Sequence, residues 1–339
     1  MNKNNDMKRI GIISFVLAAL VLLASACFNK DGSRKVRSVG GTSEILVVTQ
    51  NDEQWNGMIG DTIRSFFLQP QYGLPQPEAI NKLAHINVSG LNDMFKKHKC
   101  LLLVEINPNL DKPVVETGEN VWSEPQRVMK IVAPDRTTWC QVFNDQKEAY
   151  KVMYDKVERD RIMSVLRPSN DVKITKRIKE KMGFSITIPS GFFISKDEPD
   201  FMWLRKELDK NSFGILIYTT PYKDTLQLER DNLVTVRDRM TQRYVPGPAD
   251  GSFMTTEKEF VPPVVSYISN YPTGFAAEMR GMWCLVGDYM AGPFVSYTFP
   301  DPKTGNLVTL EGYVYYPNHD KRDDLLQLQS ILYSVRMED

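Results

Sequence analysis

The 339-residue chain is poor in histidine. His85, His98 and His319 stand far apart, with no H-E-x-x-H and no partner at helical spacing, so no local metal site is written in it. Its four cysteines form neither C-x-x-C nor a zinc spacing. G-x-S-x-G, G-x-G-x-x-G, a Walker loop and S-x-x-K are all missing, which removes the short signatures of nucleophile-elbow hydrolases, nucleotide binding and serine acyl transfer. No cofactor is expected on these grounds. Charge of one sign is not in excess either: 42 basic residues face 42 acidic ones, without a basic stripe, so nothing favours nucleic acid as a partner. After Phe28 no apolar run approaches the ~18 residues that cross a bilayer as a helix, and the body is expected to be soluble.

What is present begins at the N-terminus. Lys8 and Arg9 precede an uncharged apolar stretch, Ile10 to Leu23, and then Ala24, Ser25, Ala26 and Cys27. A basic head, an apolar run and small residues before a cut make a secretory signal peptide over 1–26. The small residues ending at a cysteine resemble a bacterial lipobox. That resemblance implies cleavage between Ala26 and Cys27, fatty acylation of Cys27 and membrane lipid as a partner; two or three acyl chains hold a protein stably. A membrane-spanning anchor and plain cleavage to a soluble protein are the alternatives. Phe28, where inner-membrane retention would place Asp, implies the outer membrane, and the basic residues that follow favour its periplasmic face. With Lys3, Lys8, Arg9 and Asp6 removed, the mature chain has 39 basic and 41 acidic residues. Three cysteines remain, Cys100, Cys140 and Cys284, each in an apolar setting expected to hold a buried free thiol. A Cys100–Cys140 bridge is the alternative.

"FNKDGSRKVRSVGG" (Phe28 to Gly41) reads as a flexible tether of roughly 20 Å. "EILVVT" and "CLLLVEI" read as strands, and Asn51 with Gln54 has capping-box spacing before a helix containing Trp55, Ile59, Ile63 and Phe66. Tyr150 to Leu166 reads as a charged amphipathic helix, and "RPSND" punctuates the chain after it. The second half is richer in strands: "FSITIPSGFFIS", "DFMWLRKE", "FGILIYTTPY", then "FAAEMRGMWCLV", "GPFVSYTF" and "NLVTLEGYVYY", the last two joined as a hairpin. Asp224 is expected to cap a helix with a stripe of Leu226, Leu233, Val236, Met240 and Tyr244. A closing helix, Asp320 to Val335, carries Leu325, Leu328, Leu332 and Val335 inward.

The expected fold class is α+β, in two domains of mostly antiparallel sheet packed by helices. The expected divisions are a lipidated Cys and tether over 27–43, an N-terminal domain over 44–167 and a C-terminal domain over 172–339. The order of elements from Met182 to Met337, opening with "FSITIPSGF", resembles small extracytoplasmic folds of the photosystem-II-P-protein-like kind. The lipobox, "SEILVV", "VWSEPQRV" and the terminal strand–helix together resemble an uncharacterised lipoprotein family of Gram-negative anaerobes, a domain of unknown function. That resemblance implies a location and no activity.

Aromatic residues beside polar ones supply the candidate ligand contacts. Trp122 stands near Glu124, Gln126 and Arg127; Trp283 near Asp288 and Tyr289; Trp203 near Arg205. A sugar- or peptide-binding groove uses such neighbours, and ordinary sheet packing is the competing reading. No carboxylate stands out in an apolar setting that would raise its pKa. Asp61-Thr62-Ile63 and Asp224-Thr225-Leu226 resemble a three-residue O-glycosylation acceptor of some Gram-negative envelopes. The expected function is a non-catalytic binding or assembly module held in the cell envelope, its partner an unidentified envelope protein or glycan. The alternative is an envelope hydrolase acting on glycan or peptidoglycan through a carboxylate pair.

Overall fold

A computed structural model describes residues 35–337; Ala26 and Cys27, with the whole signal segment, lie outside the described residues. The chain is α+β. It divides into two units: one takes in residues 35–69 and 81–158, the other 70–80 and everything from Arg159 on.

The first unit holds β1 (Glu44–Thr49), α1 (Asp52–Asn56), α2 (Met58–Phe67), β2 (Lys82–Asn87), α3 (Asp93–Lys96), β3 (Cys100–Ile106), β4 (Val114–Glu119) and β5 (Arg127–Ala133). Asn51 caps α1, its side chain accepting the Gln54 N–H at 3.1 Å. The sheet order is β2-β1-β3-β5-β4. Strand pairings among the described residues are mostly antiparallel, but in this sheet three of the four are parallel and β4–β5 alone runs antiparallel. The reason lies in the connections, since parallel neighbours need a crossover. Helices α1 and α2 supply one between β1 and β2; α3 lies in the next. Such strands are covered on both faces and read as continuous apolar runs. Along β3, Leu102 and Val104 pack with Ile63, Phe67 and Phe143, while Leu101 and Leu103 pack with Leu91, Phe95 and Trp122.

The expected tether stops short of Gly41. Glu124 donates its N–H to the Val36 carbonyl and accepts from the Ser38 N–H, and Val39 and Lys99 continue the pairing. Gly40, at φ +114°, lies against the His98 ring; a Cβ there would come within 2.5 Å of Nε2. Polar composition suggested coil, whereas backbone pairing, which composition does not report, holds this stretch down. The long helix α4 (Arg136–Leu166) also starts well before the expected Tyr150. The Asp135 side chain accepts the Thr138 N–H at 2.9 Å, and Trp139 and Phe143 bury themselves against β5 and α2.

The second unit holds α5 (Val172–Met182), β6 (Phe184–Ser185), β7 (Phe193–Glu198), β8 (Phe201–Glu207), β9 (Ser212–Pro221), α6 (Arg230–Tyr244), β10 (Phe253–Thr256), β11 (Val264–Ile268), β12 (Ala276–Val286), β13 (Ala291–Asp301), β14 (Asn306–Tyr315), α7 (Arg322–Leu332) and β15 (Arg336–Met337). Its main sheet is antiparallel throughout, in the order β10-β12-β13-β14-β9-β8-β7 with β11 also on β12. Helices α5 and α7 cover one face, where Ile178, Leu328 and Leu332 meet Ile215, Ile217 and Leu310. Helix α6 covers the other, where Leu233, Met240 and Tyr244 meet Phe201, Leu216 and Phe294.

The expected stripe on the last helix is buried at all four positions, although α7 itself ends at Leu332. Helix α5 was not anticipated; Asp171 caps it and Gly183 ends it in the left-handed region, leaving Ile174, Ile178 and Met182 as its buried stripe. The helix expected to start at Asp224 is split. Asp224 caps a separate 3₁₀ turn, Thr225–Leu228, so Leu226 is exposed and α6 begins at Arg230.

Candidate functional site

Helix α6 is too short to cover its whole face of the second sheet. Beyond Tyr244 the chain leaves as "VPGP", and an aromatic cleft of about 440 Å³ lies open at that end. Its walls come from side chains that alternate onto this face: Trp203 from β8, Trp283 from β12, Tyr313 and Tyr315 from β14. The Trp203 indole N–H donates to the Tyr313 hydroxyl at 2.9 Å, and the Trp283 indole N–H donates to the Val314 carbonyl at 3.2 Å. Trp283 and Tyr313 meet edge to face with centroids 5.5 Å apart. Gly214 makes this possible. It sits opposite Tyr313 in the β9–β14 ladder, and any Cβ there would overlap the tyrosine ring. Burial pushes the Tyr313 phenol well above its ordinary pKa, so it stays protonated.

The polar rim is cationic but compensated. The Arg205 guanidinium lies 5.0 Å from the Trp203 ring and donates to Glu207 at 2.8 Å; Lys196 pairs with Glu198 at 3.6 Å. Among the described residues lining the cleft there is no aspartate or glutamate. The arrangement offers aromatic surface, methionine and a few hydroxyls.

A fully buried carboxylate stands on the same sheet face, outside the lining of the cleft. Glu311, on the same face of β14 as Tyr313, accepts two hydrogen bonds from Arg237 of α6, at 2.8 and 2.7 Å, and both are fully buried. Burial pushes the Glu311 carboxyl up while Arg237 pulls it down, and the rise wins. Arg237 also donates to Thr256 at 2.9 Å and stacks 4.0 Å from Phe294. The expectation that no carboxylate sits in an apolar setting is therefore corrected. The signal was available: in "NLVTLEGYVYY" Glu311 shares a face with Leu307 and Tyr313, with apolar residues on either side.

Trp203 and Trp283 are brought together, though 7 and 2 % exposure makes them core residues as much as cleft walls. Tyr289 is not with them; it stands 93 % exposed in the turn before β13. Trp122 lies in the first unit on a second cavity of about 180 Å³. Gln126 holds that corner, its amide donating to the Lys96 and His98 carbonyls at 2.6 and 2.7 Å and accepting the Trp122 N–H at 2.8 Å. Glu124 does not reach this cavity; its backbone is spent on Val36 and Ser38 and its side chain is exposed.

The histidines do not converge. His85 stacks on Trp55, His98 bonds Cys100 and Glu44, and His319 stacks on Tyr316. The three described cysteines are free, and among the described residues no cluster suits a metal ion. Thr62 donates its hydroxyl back to the Met58 carbonyl within α2, whereas Thr225 is exposed. Among the described residues no helix is long and apolar enough to cross a membrane.

Two family models match the chain, each described as a domain of unknown function: DUF8532 over residues 38–167 and DUF4837 over residues 171–334. A search of the curated proteins gives no match. The first matched region begins at Ser38, inside the stretch that pairs with Glu124 and Lys97. Each half of the chain is thus similar to a domain family of unknown function.

Proposed function

We propose that this chain is a non-catalytic binding module of the cell envelope, held at the periplasmic face of the outer membrane by acyl chains on Cys27. The observation that carries the binding half is the aromatic cleft of the second unit, lined among the described residues by Trp203, Trp283, Tyr313 and Tyr315 and by no carboxylate. Glycoside hydrolysis asks for two acids roughly 5–10 Å apart across the bound sugar. Glu311, the carboxylate nearest in sequence to the cleft tyrosines, is locked to Arg237 out of water. Aromatic faces with scattered hydroxyls suit a glycan or an extended peptide, which stack and hydrogen-bond without reacting. The anchor is supported by the basic head, the apolar run and "ASAC" ending at Cys27.

Titrating the full-length chain in detergent with soluble peptidoglycan fragments and with short peptides, while assaying product release, tests this reading. Saturable binding that Tyr315→Ala weakens, with no product released, is the expected result. Turnover of any fragment would replace the binding module with the hydrolase.

A further inference from the structure

The smaller cavity in the first unit has a composition that sheet packing alone does not call for. Leu101 and Leu103 of β3 and Val128 of β5 make one face of the sheet apolar, yet the next inward positions on that face are Glu105 and Lys130. Both are almost fully buried, and their charged ends lie 2.8 Å apart. Beyond this ion pair, Glu105 Oε2 accepts no hydrogen bond. A buried ion pair is seldom more stable than a well-packed apolar pair of the same size, because desolvation consumes most of the attraction. Its presence on a cavity wall therefore asks for a second role.

The rest of the cavity says what that role is. Val48, Leu91, Leu103 and the half-buried Trp122 give it an apolar lining, and Lys96, paired with Asp93 at 3.2 Å, lines it as well. The site lies along the carboxyl halves of β1 and β3. From these neighbours the chain leaves in opposite directions, to β2 on one side and toward β5 on the other. Such switch points are where sheets with parallel strands take ligands. About 180 Å³ is too small for a drug-sized molecule. Glu105 and Lys130 neutralise each other and Lys96 is held by Asp93, which lies outside the lining, so a lone anion or lone cation would meet an opposing charge beside its partner. A small molecule carrying both charges satisfies both groups at once.

We propose that this cavity binds a free α-amino acid with an apolar side chain. Its carboxylate lies toward Lys130 and Lys96, its ammonium toward Glu105, and its side chain among Val48, Leu91, Leu103 and Trp122. Gln126 is a positioning residue here, since one amide ties both the Trp122 backbone and the Lys96 carbonyl.

The test is calorimetric titration of the full-length chain in detergent with L-leucine, N-acetyl-L-leucine and L-leucinamide. Leucine should bind saturably. Each capped analogue lacks one charge and should bind about tenfold more weakly or worse, the loss expected for one charge-assisted hydrogen bond. Glu105→Gln and Lys130→Met, checked for folding by circular dichroism, should lose leucine by a similar factor. The capped analogues read the same chemistry on the unaltered chain if either variant unfolds. Absence of saturable heat with leucine, methionine and phenylalanine overturns the assignment, as does equal binding of a capped analogue or wild-type affinity in a folded variant.

Discussion

Glu78 accepts the backbone N–H of Arg322 at 3.0 Å across 244 residues of chain, and its other carboxylate oxygen accepts the Lys321 N–H at 2.8 Å. An acidic side chain from residues 70–80 thus satisfies orphan donors at the start of α7, where the helix dipole also favours negative charge. Arg322 returns a bond to the Ala79 carbonyl at 2.7 Å, and Leu74 joins the same core as α5 and α7. Glu78→Ala should destabilise the second unit by about 1 kcal/mol, the usual worth of a helix cap. Thermal unfolding of the full chain checks it, and an unchanged transition would remove the cap from the account.

The same relationship bears on where the chain can be cut. A fragment beginning at Asp171 lacks Leu74 and Glu78, and its melting temperature should lie below that of the second unit within the full chain. Calorimetry of the two decides; coincident transitions would mean that residues 70–80 contribute nothing.

Gly214 should tolerate no side chain. Gly214→Val drives a branched Cβ into the Tyr313 ring and breaks the bond from Trp203. Overpacking of this kind costs about 1–3 kcal/mol, and the tryptophan emission should shift as Trp203 loses its partner. Unaltered emission and melting would show that the ring relocates freely.

Arg237 and Glu311 should behave as a unit. Arg237→Met leaves a buried carboxylate unpaired and should cost about 3–5 kcal/mol. Combining it with Glu311→Leu removes both charges and should recover most of that loss. A double variant as unstable as the sum of the two single ones would deny the coupling.

His98 makes the first unit sensitive to acid. Burial holds its imidazole below the usual value, outweighing the pull of Glu44. The unfolded chain then takes up a proton near its ordinary pKa of about 6.5, before the folded one does. Stability is complete above that pH and is lost as pH falls through the folded value. His85, also lowered by burial, acts in the same direction. Urea midpoints should drop between pH 7.5 and 5.5, and by less in His98→Gln; parallel curves would exclude His98.

At Cys27 the expectation comes from sequence. Cys27→Ala should abolish labelling by an alkyne fatty acid in growing cells and leave an uncleaved precursor. Equal labelling of variant and wild type would end the anchor proposal.

Local pattern was enough for the strands "EILVVT", "CLLLVEI" and "NLVTLEGYVYY", the Asn51 cap and the buried stripe of Leu325, Leu328 and Leu332. Each depends on periodicity or on a side chain reaching its own backbone, and both are written within a few residues. Trp203 and Trp283 were legible as aromatic, but their meeting in one cleft was not. It depends on β8, β14 and β12 sharing a sheet face that α6 leaves partly bare, and on Gly214 clearing space for Tyr313 from another strand. The parallel pairing in the first sheet, the docking of Val36 to Gly41, the Arg237–Glu311 pair and the passage of residues 70–80 into the second unit were likewise decided in three dimensions. Each joins partners far apart in the chain, and the energy that selects them comes from burial and from backbone groups that must find a partner, neither of which a short window of sequence records.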